Sequence, residues 1–167
     1  MEEYNSTKDT QNHITKVRQN IAVLFEEISK RHERHDASKL IDPEKATFDR
    51  VTPALKGLTY GSAEYTTMLT EMKPALDHHY AANRHHPENH TDGVLGMNLV
   101  DLLEMFCDWC AATERHDDGD IGKSIEHNMK RFGYGETLAS IMVNTAQDFG
   151  MGKRSHVAYR PIKPGSK

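Results

Sequence analysis

Apolar residues along this chain recur every three or four positions and scarcely ever alternate. Ile14, Val17, Ile21, Leu24, Phe25 and Ile28 form one such stripe, and Tyr65, Met68, Leu69, Met72 and Leu76 form a second. Ile121, Ile125, Met129 and Phe132 mark a third, and Leu138, Ile141 and Met142 a fourth. Steps of three and four keep one face of an α-helix apolar, whereas a half-buried strand needs a period of two. The pattern leaves no stretch for a sheet and predicts an all-α, single-domain bundle of about five to seven helices around one core. A chain of 167 residues is long enough to bury such a core.

Turn chemistry places the boundaries. Residues 1–9 are polar and read as a flexible N-terminus, 10–148 as the helical domain, and 149–167, rich in Gly, Pro, Lys and Arg, as a flexible basic tail. Thr10 or Asn12 caps the first helix, and a second short one is expected from Arg31 to Leu40. Asp42-Pro43 reads as an N-cap with proline at the first helical position, opening a helix that Thr52-Pro53 ends or bends. After a turn at Gly57–Gly61, Ser62 caps the next helix, in which Pro74 predicts a kink or break. A loop from Asn83 to Gly93 leads to the most apolar helix, Val94 to Glu114, and an acidic turn follows at His116–Asp120.

Charge and cysteine usage narrow the partners. A net charge of −4 and an isoelectric point near 6.2 give no basic field for nucleic acid. Two cysteines, no signal peptide and no long apolar run predict a protein of the cytoplasm with no membrane span. Cys107 and Cys110 make a lone CxxC on the apolar side of their helix, and read as reduced core thiols.

Eleven histidines carry the chemical signal. His35-Asp36 sets an imidazole nitrogen beside a carboxylate oxygen, a pair suited to Mn, Fe, Co, Ni or Zn. His13 stands on the first turn of the first helix, four residues before Val17. At about 100° per residue His79 falls inside the apolar stripe of its helix while His78 points away, so His79 is the better ligand of the two. His85, His86 and His90 crowd one loop, where spacing does not separate His85 from His86. In the apolar helix, Asn98, Asp101, Glu104 and Asp108 share a stripe; it is either a solvated face or a buried one whose carboxylates need a metal or a cationic partner. Lys39 shares a face with Asp36, as a phosphate-binding group or as the ion-pair partner of Asp36 or Glu44.

The order His13, His35-Asp36, His79, His86, Asp101 resembles the HD-domain superfamily of metal-dependent phosphohydrolases. His35-Asp36-Ala37-Ser38 looks much like the pair in its nucleotidase branch, although that branch carries an acidic residue at the offset of Lys39. The wider text Tyr60-Gly61-Ser62-Ala63-Glu64-Tyr65, His78-His79-Tyr80, Asn83-Arg84-His85-His86-Pro87-Glu88 and Asp101-Leu102-Leu103-Glu104-Met105 is similar to an uncharacterised, largely phage-encoded family of HD-like proteins, over roughly residues 10 to 147.

The superfamily resemblance implies a phosphohydrolase acting on a nucleotide or other small phosphate ester, with one or two divalent transition-metal ions. His13, His35, Asp36 and Asp101 would hold the first ion, with Asp108 as the fallback for Asp101. His79 and His86 would hold a second or orient substrate. Lys39 and Arg84 would neutralise phosphate, Asn83 and His85 would line the substrate site, and Glu64, Glu88 and Glu104 would serve in acid–base work or behind the ligands. Two other readings fit the same residues: a non-catalytic phage protein that sequesters a nucleotide or contacts a host protein, and an HD-type di-iron oxygenase. A homo-oligomer is compatible with all three.

Overall fold

In the computed structural model, residues 5–56, 62–115 and 119–153 are described. The turn at Gly57–Gly61, most of the acidic turn at His116–Asp120 and the tail beyond Lys153 lie outside them. Among the described residues there are six α-helices and no strand: α1 Thr7–Arg34, α2 Glu44–Lys56, α3 Ala63–Ala82, α4 Leu99–Glu114, α5 Ile121–Phe132 and α6 Glu136–Phe149. The chain is all-α. No described helix is long and apolar enough to cross a membrane.

Backbone packing divides the chain into two units, Met1–His35 and Asp36–Lys167. The first is α1, whose 28 residues rise about 42 Å at 1.5 Å each. It runs on to Arg34, so the separate helix expected at Arg31–Leu40 does not form. Glu26–Lys30 and Glu27–Arg31 pairs, four residues apart, carry the helix through that stretch. His13 is exposed near its start.

The second unit opens on Asp36, the only described non-glycine residue at positive φ (55°). The left-handed region is open to Asp at modest cost because its short side chain hydrogen-bonds locally. A 3-10 turn at Ala37–Leu40 follows, and Asp42 then accepts from the Ala46 amide to start α2. α2 packs on α3. Neither proline breaks its helix: α2 continues through Pro53 to Lys56 and α3 through Pro74 to Ala82. Both prolines sit on exposed faces, where the carbonyl four residues back can turn to water.

α4, α5 and α6 enclose the apolar core, in which Met105, Phe106, Ile125, Met142 and Val143 are buried. Each such side chain stabilises the fold by about 1.5–3 kcal/mol relative to exposure. Helix α4 starts at Leu99 rather than Val94, because Asn98 and Asp101 form a capping box that sets its first turn. Residues 93–96 form a 3-10 turn before it. Cys110 is in the core as expected, whereas Cys107 is exposed, on the outer side of α4. The chain stays attached beyond α6: the Ile121 amide donates to the Lys153 carbonyl and the Lys153 amide to Thr113 Oγ1. Gly152 makes that return close, with φ +69° and no room for a Cβ beside Ile121 and Thr113.

Candidate metal centre

Three segments of the second unit supply the site. The 3-10 turn after Asp36 presents Asp36, Ser38 and Lys39; the last turn of α3 presents His78 and His79; and the loop that leaves α3 presents Asn83, His85 and His86. One ligand atom from each of Asp36, His79, His85 and His86 lies within 4.8 Å of the others. His79 and His85 are each 1% exposed.

Glu44 fixes His79. It stands at the first position of α2 and is completely buried. One carboxylate oxygen meets His78 Nδ1 at 2.7 Å; the other meets His79 Nδ1 at 2.9 Å and accepts from Ser38 Oγ at 3.0 Å. Burial pushes the Glu44 carboxyl upward, but the hydrogen bonds from His78, Ser38 and His79 together outweigh it, and the group ends below the usual range. An ionised carboxylate requires a proton on His79 Nδ1, which leaves the lone pair on Nε2. Asn83 adds to the cradle by donating to Ser38 Oγ and to the His79 carbonyl.

Glu104 stands behind His85 as a close ion-pair contact, without the hydrogen-bond alignment that Glu44 has on His79. It lies on the second turn of α4, its side chain only 12% exposed, with Oε1 3.1 Å from His85 Nδ1. The inward nitrogens of both imidazoles then face one oxygen: Asp36 Oδ1 is 3.3 Å from His79 Nε2 and 3.4 Å from His85 Nε2. His86 Nε2 completes the group, 2.8 Å from His79 Nε2. A proton can bridge one pair of these acceptors, whereas a divalent ion satisfies all of them together. Metal–ligand bonds of about 2.1 Å put neighbouring ligand atoms about 3.0–3.4 Å apart, the separation of Asp36 Oδ1 from the Nε2 atoms of His79 and His85. Burial, followed by the charges of His85 and His79, pushes His86 down to about 3, against the opposing pull of Asp108 and Asp36. Neutral imidazole is the ligating form.

Several other residues singled out in the sequence, His35 aside, meet different partners. Asp101 is fully buried but accepts from the Arg84 guanidinium at 3.1 and 2.8 Å and from the Asn98 amide. The cationic partner that a buried carboxylate needs is therefore Arg84, and among the described residues Asp101 joins no group of converging ligand atoms. Arg84 is correspondingly committed to Asp101. Lys39 Nζ is 2.7 Å from Asp36 Oδ2, the ion-pair reading, with its side chain 37% exposed. Glu88 pairs with Arg131 on the surface. Glu64 sits on the first turn of α3, fifteen residues before His79, which is about 22 Å of helix; it takes no part in the cluster. His13 and His35 belong to the first unit, His35 as the cap that ends α1. Glu44 is the residue sequence reasoning missed, since an acidic side chain in a first helical turn ordinarily faces water.

A family model described as a family of unknown function, DUF5662, matches residues 2–149. The chain belongs to this family. The DUF5662 match spans α1 to α6 and includes every residue of the cluster. No curated protein and no solved structure matches the chain.

Proposed function

We propose that this DUF5662 protein is a metal-dependent phosphohydrolase acting on a nucleotide or other small phosphate ester, with its ion held by Asp36, His79, His85 and His86. The observation that carries the reading is the pair of carboxylate–histidine contacts, Glu44 to His79 and Glu104 to His85, which aim two lone pairs at Asp36 Oδ1. Carboxylates behind ligating histidines fix the ring tautomer and strengthen the donor.

A divalent ion held there supplies a bound water of lowered pKa and a Lewis acid for a phosphoryl oxygen. The remaining work falls to the chain. Asp36 offers one oxygen to the cluster while Lys39 holds the other. Lys39, partly exposed beside the cluster, has further N–H groups for a phosphate oxygen. Mn, Fe, Co and Ni accept five or six ligands, so a bound water can join the four residues on them. The resemblance of His35-Asp36 to the HD pair implies hydrolysis, with oxygen chemistry on a pair of irons as the second reading it admits.

The test is a phosphate-release screen over nucleotides and simple phosphate esters, with each metal restored in turn, on the wild type and on Asp36→Ala. Release with at least one metal, abolished in the variant, supports the proposal. Metal bound but no release from any substrate turns the reading to sequestration, and a bound, redox-active pair of irons turns it to oxygen chemistry.

A further inference from the structure

The three histidines of the cluster are not held alike. His79 is buried, with its outer nitrogen on Glu44 and with Ser38 and Asn83 packed around it. His85 is buried, with its outer nitrogen on Glu104. His86 is only partly buried, and no carboxylate holds its Nδ1 among the described residues. Rings flank it, Tyr80 at 4.9 Å and His85 at 4.1 Å between centroids, and the charges of Asp108 and Asp36 reach it without a hydrogen bond at Nδ1, so the imidazole can swing about its side-chain bonds. The backbone beneath it stays pinned, because the His86 amide donates to the Asn83 carbonyl and the Asn89 amide to the His86 carbonyl.

We propose that His86 is the exchangeable ligand of the centre, the one that an anionic phosphate oxygen displaces, while Asp36, His79 and His85 stay on the ion. The inference rests on the metal-site reading above and adds to it a division of labour. Carboxylates behind a ligand typically raise metal affinity 10- to 100-fold; two of the three histidines have one and the third does not. The side chain that yields is also the most exposed of the three histidines, His79 and His85 being buried. A four-residue set that would close a tetrahedral ion becomes a three-residue set with a vacant position, the arrangement that catalytic rather than structural sites keep.

The experiment uses Co(II), which reports its coordination by visible absorption, and inorganic phosphate as the probe. Co(II) affinity is measured for the full chain and for His79→Ala, His85→Ala, His86→Ala and His86→Gln, with folding of each checked by circular dichroism. The expected result is a loss of at least about 100-fold for His79→Ala and His85→Ala but under about tenfold for both His86 variants. Phosphate should change the Co(II) spectrum of the wild type, and should bind the Co(II) forms of His86→Ala and His86→Gln more tightly, since no side chain competes for the position. A His86 loss as large as that of His79, or phosphate binding no tighter without His86, overturns the inference while leaving a metal site in place. Absence of Co(II) binding by the wild type overturns the metal reading itself, and this one with it.

Discussion

Glu44 offers the sharpest perturbation, because one buried carboxylate holds three polar groups from two other segments. Glu44→Gln keeps the shape but replaces one oxygen with an NH2 that must face an imidazole N–H or the Ser38 hydroxyl. Hydrogen bonds to a charged group contribute about 1.5–3 kcal/mol each and do not simply add. With one side of the contact set lost and a donor left facing a donor, a cost of about 2–4 kcal/mol follows. Urea slopes of about 1–3 kcal/mol/M convert that to a midpoint lowered by about 1–2 M in the metal-free protein. A separate effect falls on the ion: with His79 no longer held in one tautomer, metal affinity should drop about 10- to 100-fold. The assay is urea denaturation without metal, paired with a metal-competition titration under conditions where the variant is folded. A midpoint within about 0.3 M of wild type, or a stability loss with unchanged metal affinity, would refute the account of Glu44 as the residue that sets His79.

Three further perturbations separate the parts of the structure. Asp101→Asn should destabilise the protein by about 2–4 kcal/mol, since it removes the charge that Arg84 and the α4 cap share, yet leave metal content unchanged; parallel denaturation and elemental analysis check it. Gly152→Ala should cost about 1–3 kcal/mol through its positive φ, and more through a Cβ 3.0 Å from that of Ile121, read as a lowered melting temperature with metal affinity preserved. In the metal-free protein, His86 has a folded pKa of about 3 against an ordinary 6.5, so its contribution is complete above pH 6.5 and is lost as pH falls toward 3, with Glu44 adding its own loss below 4.5. Denaturation at pH 7.5, 6 and 5 should show this decline, and His86→Gln should flatten it above pH 4.5.

Helical class was legible because the apolar period is long and regular in α3, α5 and α6, and because no segment alternates. Helix ends were less so. The break at Asp36 depends on one residue entering the left-handed region, and the continuation of α2 and α3 through proline depends on which face is exposed; neither is written in local composition. His79 could be singled out by helical phase and Asp36 by its pairing with His35, whereas spacing did not separate His85 from His86; the structure brings all four together. The stripe Asp101, Glu104, Asp108 divided three ways in space: Asp101 to Arg84 and the cap, Glu104 to His85, and Asp108 within electrostatic reach of His86. Spacing along α4 places these carboxylates on one face but cannot say which histidine each meets, because that is decided by the path of the loop after α3. Glu44 was invisible for the same reason, since only the packing of α2 on α3 buries it.

The central claim is a single divalent ion on Asp36, His79 and His85, with His86 completing the set. Its most direct test is metal stoichiometry and affinity by calorimetric titration with Mn, Co, Ni and Zn on the wild type, Asp36→Ala and His79→Ala. The account predicts about one ion per chain in the wild type, with affinity reduced at least about 100-fold in both variants. Failure of every metal to bind the wild type, or binding that survives both substitutions unchanged, would contradict it.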